Sequence, residues 1–98
     1  MQTTKIWGRI VVNNRRSEFE IINKLLIISK SGAKKTELLY QANLSYTQLT
    51  SYLSFLIDKE IIETIKVENN GNNGFLYQLT DKGVDFLKDL NKTLAYIK

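Results

Sequence analysis

Apolar residues change their period along this chain, and the changes mark out its elements. Phe19, Ile22, Leu25 and Leu26 recur at helical spacing and form one stripe. Ser17 stands just before them and Glu20 three residues after it, the arrangement of a capping box, in which two side chains satisfy free N–H groups of the first turn. Ser29-Lys30-Ser31-Gly32 ends this helix, with lysine in its last turn and glycine beyond. A shorter helical pattern runs from Lys34 to Ala42, with Leu38, Leu39 and Ala42 inward, and closes in a tight turn at Asn43-Leu44. Ser45 and Gln48 make a second capping box. The helix behind it carries Leu49, Leu53 and Leu56, flanked by Tyr52 and Ile57, to about Lys59.

The period then drops to two. Ile65 and Val67 alternate with Thr64, Lys66 and Glu68, and Phe75, Tyr77 and Leu79 alternate with Leu76 and Gln78. Between them lies Asn69-Asn70-Gly71-Asn72-Asn73-Gly74, rich in residues that tolerate positive φ. This predicts a β-hairpin with an extended tip. Thr80 caps a last helix over about 81–97. Ahead of everything, residues 3–12 are β-branched and aromatic and read as a short strand or extended arm ending at Asn13-Asn14. The expected divisions are an arm over 1–14, a compact unit over 15–80 and a C-terminal helix over 81–98. The fold class is α+β, mostly helical: two helices joined by a short turn and followed by a hairpin form a helix-turn-helix with a wing.

Composition narrows the chemistry. The chain has 98 residues, 43% hydrophobic and 24% charged, enough for one modest core. There is no cysteine and no histidine. Disulfides and thiol nucleophiles are excluded, and the commonest general base and metal ligand are missing. The longest apolar run is Leu25 to Ile28, so no membrane span is expected. Gly8 and Arg9 interrupt Ile6–Val12, so a signal peptide is not expected either, and the predicted location is the cytoplasm. Asp85 with Asp89, and Glu60 with Glu63, are the carboxylate pairs, both in lysine-rich, polar contexts. They read as solvated charges. No enzyme, cofactor, metal or small-molecule substrate is expected.

Charge is unevenly placed. Residues 1–35 hold eight bases and two acids, a net of +6, whereas residues 36–98 hold six bases and eight acids, a net of −2. A basic block of this kind is a footprint for a polyanion, most often nucleic acid. The same block also serves as a solvated face that keeps a protein soluble.

Residues 15–90 bear a family resemblance. The segments from Arg16 to Ile22, from Ser31 to Tyr46 (Gly-Ala-Lys-Lys-Thr through Ala-Asn-Leu-Ser-Tyr), from Tyr52 to Lys59, and Tyr77-Gln-Leu-Thr-Asp-Lys-Gly resemble the archaeal winged-helix DNA-binding proteins. Among these they are most similar to the crenarchaeal ten-kilodalton chromatin-associated family. The resemblance implies a basic, dimeric binder of double-stranded DNA with little sequence preference and nucleoid association. In that family the last helix is long and pairs as an antiparallel coiled coil. Here it is shorter, and the N-terminal arm is an addition.

Candidate contacts follow. A helix entering the major groove reads bases with its N-terminal residues, here Ser45, Tyr46, Thr47, Gln48 and Ser51. Glutamine pairs with adenine, while serine and threonine meet either base edge. No arginine or lysine occurs between Glu37 and Lys59, so the residues that most often read guanine are absent. Lys34 and Lys35 precede the second helix, and phosphate contact there is supported by the resemblance. Arg15 and Arg16 precede the first helix, where cations oppose the helix dipole, and phosphate is one reason for them. Lys66, at the root of the hairpin, is the wing's base. Leu87, Leu90, Leu94 and Ile97 space as a coiled-coil seam, and with Trp7 of the arm they are the candidates for a homodimer interface. The alternative for the seam is packing on its own domain. Three functions stay open: an architectural DNA binder, a sequence-specific transcription regulator, and a winged helix used for protein contact.

Overall fold

A computed structural model describes residues 17–69 and 72–97. The expected arm, with Trp7, and the candidates Arg15 and Arg16 lie outside the described residues. The elements are α1 (Glu18–Ile28), α2 (Lys35–Gln41), α3 (Tyr46–Asp58), β1 (Ile62–Asn69), β2 (Asn72–Leu79) and α4 (Asp81–Ile97).

The helix ends follow from local chemistry. Ser17 Oγ accepts the Glu20 N–H at 3.1 Å, and Glu20 Oε1 accepts the Ser17 N–H at 3.3 Å. At α2 only half of such a box forms. Glu37 Oε1 accepts the Lys34 N–H at 2.9 Å, but an ammonium has no lone pair with which to complete the exchange. α3 ends through Glu60 at φ 62°. The Ile61 N–H donates to the Leu56 carbonyl and the Glu60 N–H to the Ile57 carbonyl, both at 2.9 Å. These paired bonds close a helix through a left-handed residue, and Ile61 and Leu56 are both buried in the core.

β1 and β2 pair antiparallel from Ile62↔Leu79 to Asn69↔Asn72. The ladder therefore runs through most of the Asn/Gly stretch that was expected to be an extended tip. Asn and Gly are poor strand formers, but the pairing of Ile62–Val67 with its partners carries the register outward past them. Ala33 adds a short third rung. Its N–H donates to the Tyr77 carbonyl at 3.0 Å, and the Tyr77 N–H returns to its carbonyl at 2.8 Å.

One core joins all the helices to the base of the wing. Leu25, Leu26, Leu38, Leu49, Leu56 and Ile62 are fully buried in it. Ser29 carbonyl accepts the Leu79 N–H, which sets the end of α1 beside the start of α4. Further along both helices, Asn23 Nδ2 donates to Asn91 Oδ1. The two helices thus run in opposite directions. Three expectations change here. Phe19 is 59% exposed and Ile21 is buried in its place, because α1 packs on α2 and α4 and needs a broader apolar face than one stripe. Lys30 lies beyond α1, whose last turn has no basic residue. Leu87, Leu90 and Leu94, expected to face a second copy, are already buried in the chain's own core, and only Ile97 of that seam stays exposed. The architecture is a winged helix-turn-helix, mostly helical, with a two-stranded antiparallel wing.

Candidate nucleic-acid interface

The turn between α2 and α3 decides which side of α3 faces outward. Asn43 takes φ 55°, a conformation asparagine tolerates better than most residues. The Leu44 N–H donates to the Leu39 carbonyl at 3.1 Å and the Asn43 N–H to the Tyr40 carbonyl at 3.2 Å. Leu44 is thereby turned into the core. With Leu49, Leu53 and Leu56 it fixes the inner face of α3. Ser45, Tyr46, Thr47, Gln48, Thr50, Ser51 and Ser54 are left on the exposed side.

Two of the expected base readers are tied to each other. Ser45 Oγ accepts the Gln48 N–H at 3.1 Å, and Gln48 Oε1 accepts the Ser45 N–H at 3.0 Å. A bidentate glutamine–adenine contact needs both the carbonyl and the NH₂ of the side chain. With its oxygen held in the cap, Gln48 offers only its NH₂ while the first turn stays formed.

Lys35 joins this surface from α2. Its Nζ donates to Tyr46 Oη at 3.1 Å and lies 4.4 Å from the centre of the Tyr46 ring. Tyr46 is 64% exposed. The hydrogen bond from Lys35 and the charge behind it hold the Tyr46 phenol below its ordinary value, and a hydrogen bond with Thr50 adds to this. Thr50 was absent from the expected contacts, although its place one turn after Tyr46 could have found it. Lys34 is exposed at the start of α2.

The wing contributes separately. Lys66 is exposed on β1 and stands across the ladder from Phe75, itself 59% exposed. Side chains opposite one another in a ladder share a face, so cation and ring belong to the same face of the wing. In the sequence Phe75 stands only as an alternating strand residue, and its place opposite Lys66 comes from the register. Among the described residues no group of three or more acidic, histidine or cysteine side chains is placed to hold a metal ion. No helix of the described residues is long and apolar enough to cross a membrane.

A sequence profile described as winged helix-turn-helix matches residues 15–98. An uncharacterised protein of Methanocaldococcus jannaschii is 40% identical over 53 residues, which are 53% of this chain and 55% of that protein. The match thus spans about half the length of this curated relative. A crystal structure from Streptococcus mutans superposes with a TM-score of 0.77 at 22% identity, over 88% of this chain and 86% of that one. Sso10a-2, a DNA-binding protein from Sulfolobus solfataricus, gives 0.71 at 20% identity over 83% and 81%. A PadR-like transcriptional regulator from Bacillus cereus gives 0.69 at 21% identity over 80% and 82%. At these identities the structural likenesses speak for the fold.

Proposed function

Because the chain belongs to the winged helix-turn-helix family, we propose that it binds double-stranded DNA with little sequence preference, as an architectural, nucleoid-associated homodimer of the cytoplasm. The observation that carries this reading is the first turn of α3. It holds no cation of its own, and its two best polar readers cap the helix and each other. Such a surface suits docking against the duplex with affinity drawn from phosphates, supplied by Lys34 and Lys35 and by the basic N-terminal third. Bidentate base contacts, which give a regulator its operator, have few carriers here.

The test is a titration of two unrelated duplexes by fluorescence anisotropy at about 50 and 200 mM salt, a range over which phosphate-driven binding falls by orders of magnitude. Equal and steeply salt-dependent binding to both supports the proposal. Replacing Lys34 and Lys35 together by alanine flattens the salt slope by about two units for every duplex. A strong preference for one duplex turns the reading into a sequence-specific regulator. No binding at the lower salt removes DNA as the partner.

In this reading the homodimer draws on the exposed end of α4, the one part of the expected seam that the chain's own core leaves open. Tyr96 and Ile97, at the end of α4, are 91% and 70% exposed and offer the apolar area that Leu87, Leu90 and Leu94 do not. Ile97→Asp should therefore yield monomers in sedimentation velocity while the core stays intact. A dimer that survives it places the interface elsewhere.

A further inference from the structure

We infer that Tyr46 is a positioning residue: its hydroxyl and ring hold the Lys35 ammonium against the first turn of α3, giving that helix the phosphate-binding cation its own sequence lacks. This rests on the DNA-binding reading above and specifies which groups meet the backbone there.

Three observations carry it. No lysine or arginine lies between Lys35 and Lys59, so α3 brings no positive charge of its own to a polyanion. Lys35 belongs to α2, yet its Nζ sits 3.1 Å from Tyr46 Oη and 4.4 Å from the ring centre, on the exposed side of α3. Tyr46 is itself 64% exposed, so the pair is open to a ligand from outside. A free lysine side chain loses considerable rotamer entropy when it is immobilised on a ligand. Lys35 is already directed by two contacts, so less of that loss remains for binding. An ammonium has three N–H groups. One serves Tyr46, and two are left for phosphodiester oxygens.

The chemistry separates Lys35 from Lys34. Both stand at the start of α2, but only Lys35 has a side-chain partner among the hydrogen bonds of the described residues. Lys34 acts as a mobile charge, Lys35 as a fixed one.

The experiment is a double-mutant cycle on the full chain, with Tyr46→Phe, Lys35→Met and both together. Binding to a mixed-sequence duplex is followed by anisotropy as salt is raised. Both side chains are on the surface, and thermal unfolding checks that each variant folds as the parent does. Lys35→Met should weaken binding about tenfold and lower the salt slope by about one unit, the signature of one lost phosphate contact. Tyr46→Phe keeps the ring and removes the hydroxyl. It should weaken binding about threefold, within the range of one net hydrogen bond. In the Lys35→Met background the same change should have no further effect. Tyrosine ring carbon NMR supplies a readout without DNA: the Tyr46 phenol should titrate higher once Lys35 is methionine.

Equal loss from Tyr46→Phe with and without Lys35 overturns the inference, since Tyr46 would then act on DNA directly. Unchanged binding by Tyr46→Phe overturns it too. Absence of duplex binding by the parent chain removes the functional reading instead, and the NMR titration tells the cases apart by showing whether the Lys35–Tyr46 contact exists.

Discussion

Helices α3 and α4 each begin beneath a hydroxyl that accepts the N–H of the third helical residue, Ser45 for Gln48 and Thr80 for Gly83. Their surroundings differ. At α3 the third residue has a long side chain, which reaches back to the Ser45 N–H at 3.0 Å, and the whole turn is exposed. At α4 the third residue is glycine and buried. Thr80 Oγ1 donates to the Glu60 carbonyl at 2.6 Å, and the Thr80 N–H donates to the Ile61 carbonyl at 3.1 Å. The cap of α4 is thus bonded to the backbone that ends α3 and begins β1. One helix start is a joint, and the other is closed on itself with its polar face outward. The same cap chemistry therefore has two uses, and the difference lies in what the rest of the turn touches.

Gly83 gives the largest break in that comparison. A glycine inside a helix is ordinarily improved by alanine, by about 1 kcal/mol. Here an added Cβ would fall deep inside contact distance of the Ile61 carbonyl oxygen and close to the Leu79 side chain. Backbone cannot swing aside as a side chain can, so Gly83→Ala should destabilise by about 3 kcal/mol. Urea unfolding followed by circular dichroism measures it, and Gly74→Ala is the control. A Cβ there meets nothing within 4 Å, and the change should stay within about 0.5 kcal/mol. A stabilised Gly83→Ala would mean that α4 does not approach Ile61 so closely.

These joints explain how far the fold was legible in the sequence. Both serine capping boxes could be read directly, because a hydroxyl and a Glu or Gln three residues apart act within one turn. The Thr-Asp-Lys-Gly run also showed where α4 starts. Why glycine stands at 83 did not show, since the atom it must clear belongs to Ile61, more than twenty residues earlier. The leucines of α4 illustrate the same limit. Leu87, Leu90 and Leu94 have the spacing of a seam whether the partner is a second copy or α1 of the same chain, and periodicity cannot tell these apart. The exposed side of α3 was legible from the directions of Leu49, Leu53 and Leu56. Lys35 on Tyr46 was not, because the contact crosses the turn between α2 and α3.

The smaller prediction compares the two hydroxyls directly. Ser45→Ala removes one acceptor from an exposed turn and should lower stability by about 1 kcal/mol, the usual effect of losing an N-cap. Thr80→Ala removes the same kind of acceptor and also the donor to the Glu60 carbonyl in a partly buried joint. It should lower stability by about 2 kcal/mol, since a second hydrogen bond adds about 1 kcal/mol and leaves a carbonyl behind. The two variants should then part in function. Thr80→Ala leaves the surface of α3 untouched, so duplex affinity at fixed folded fraction should not change. Ser45→Ala removes the acceptor of the Gln48 N–H and loosens the turn that carries Tyr46, so affinity should fall. The salt slope should hold, because no phosphate-binding cation has been removed. Equal stability losses from the two substitutions would mean that Thr80 is a cap and nothing more. A changed slope in Ser45→Ala would mean that the cap itself holds phosphate.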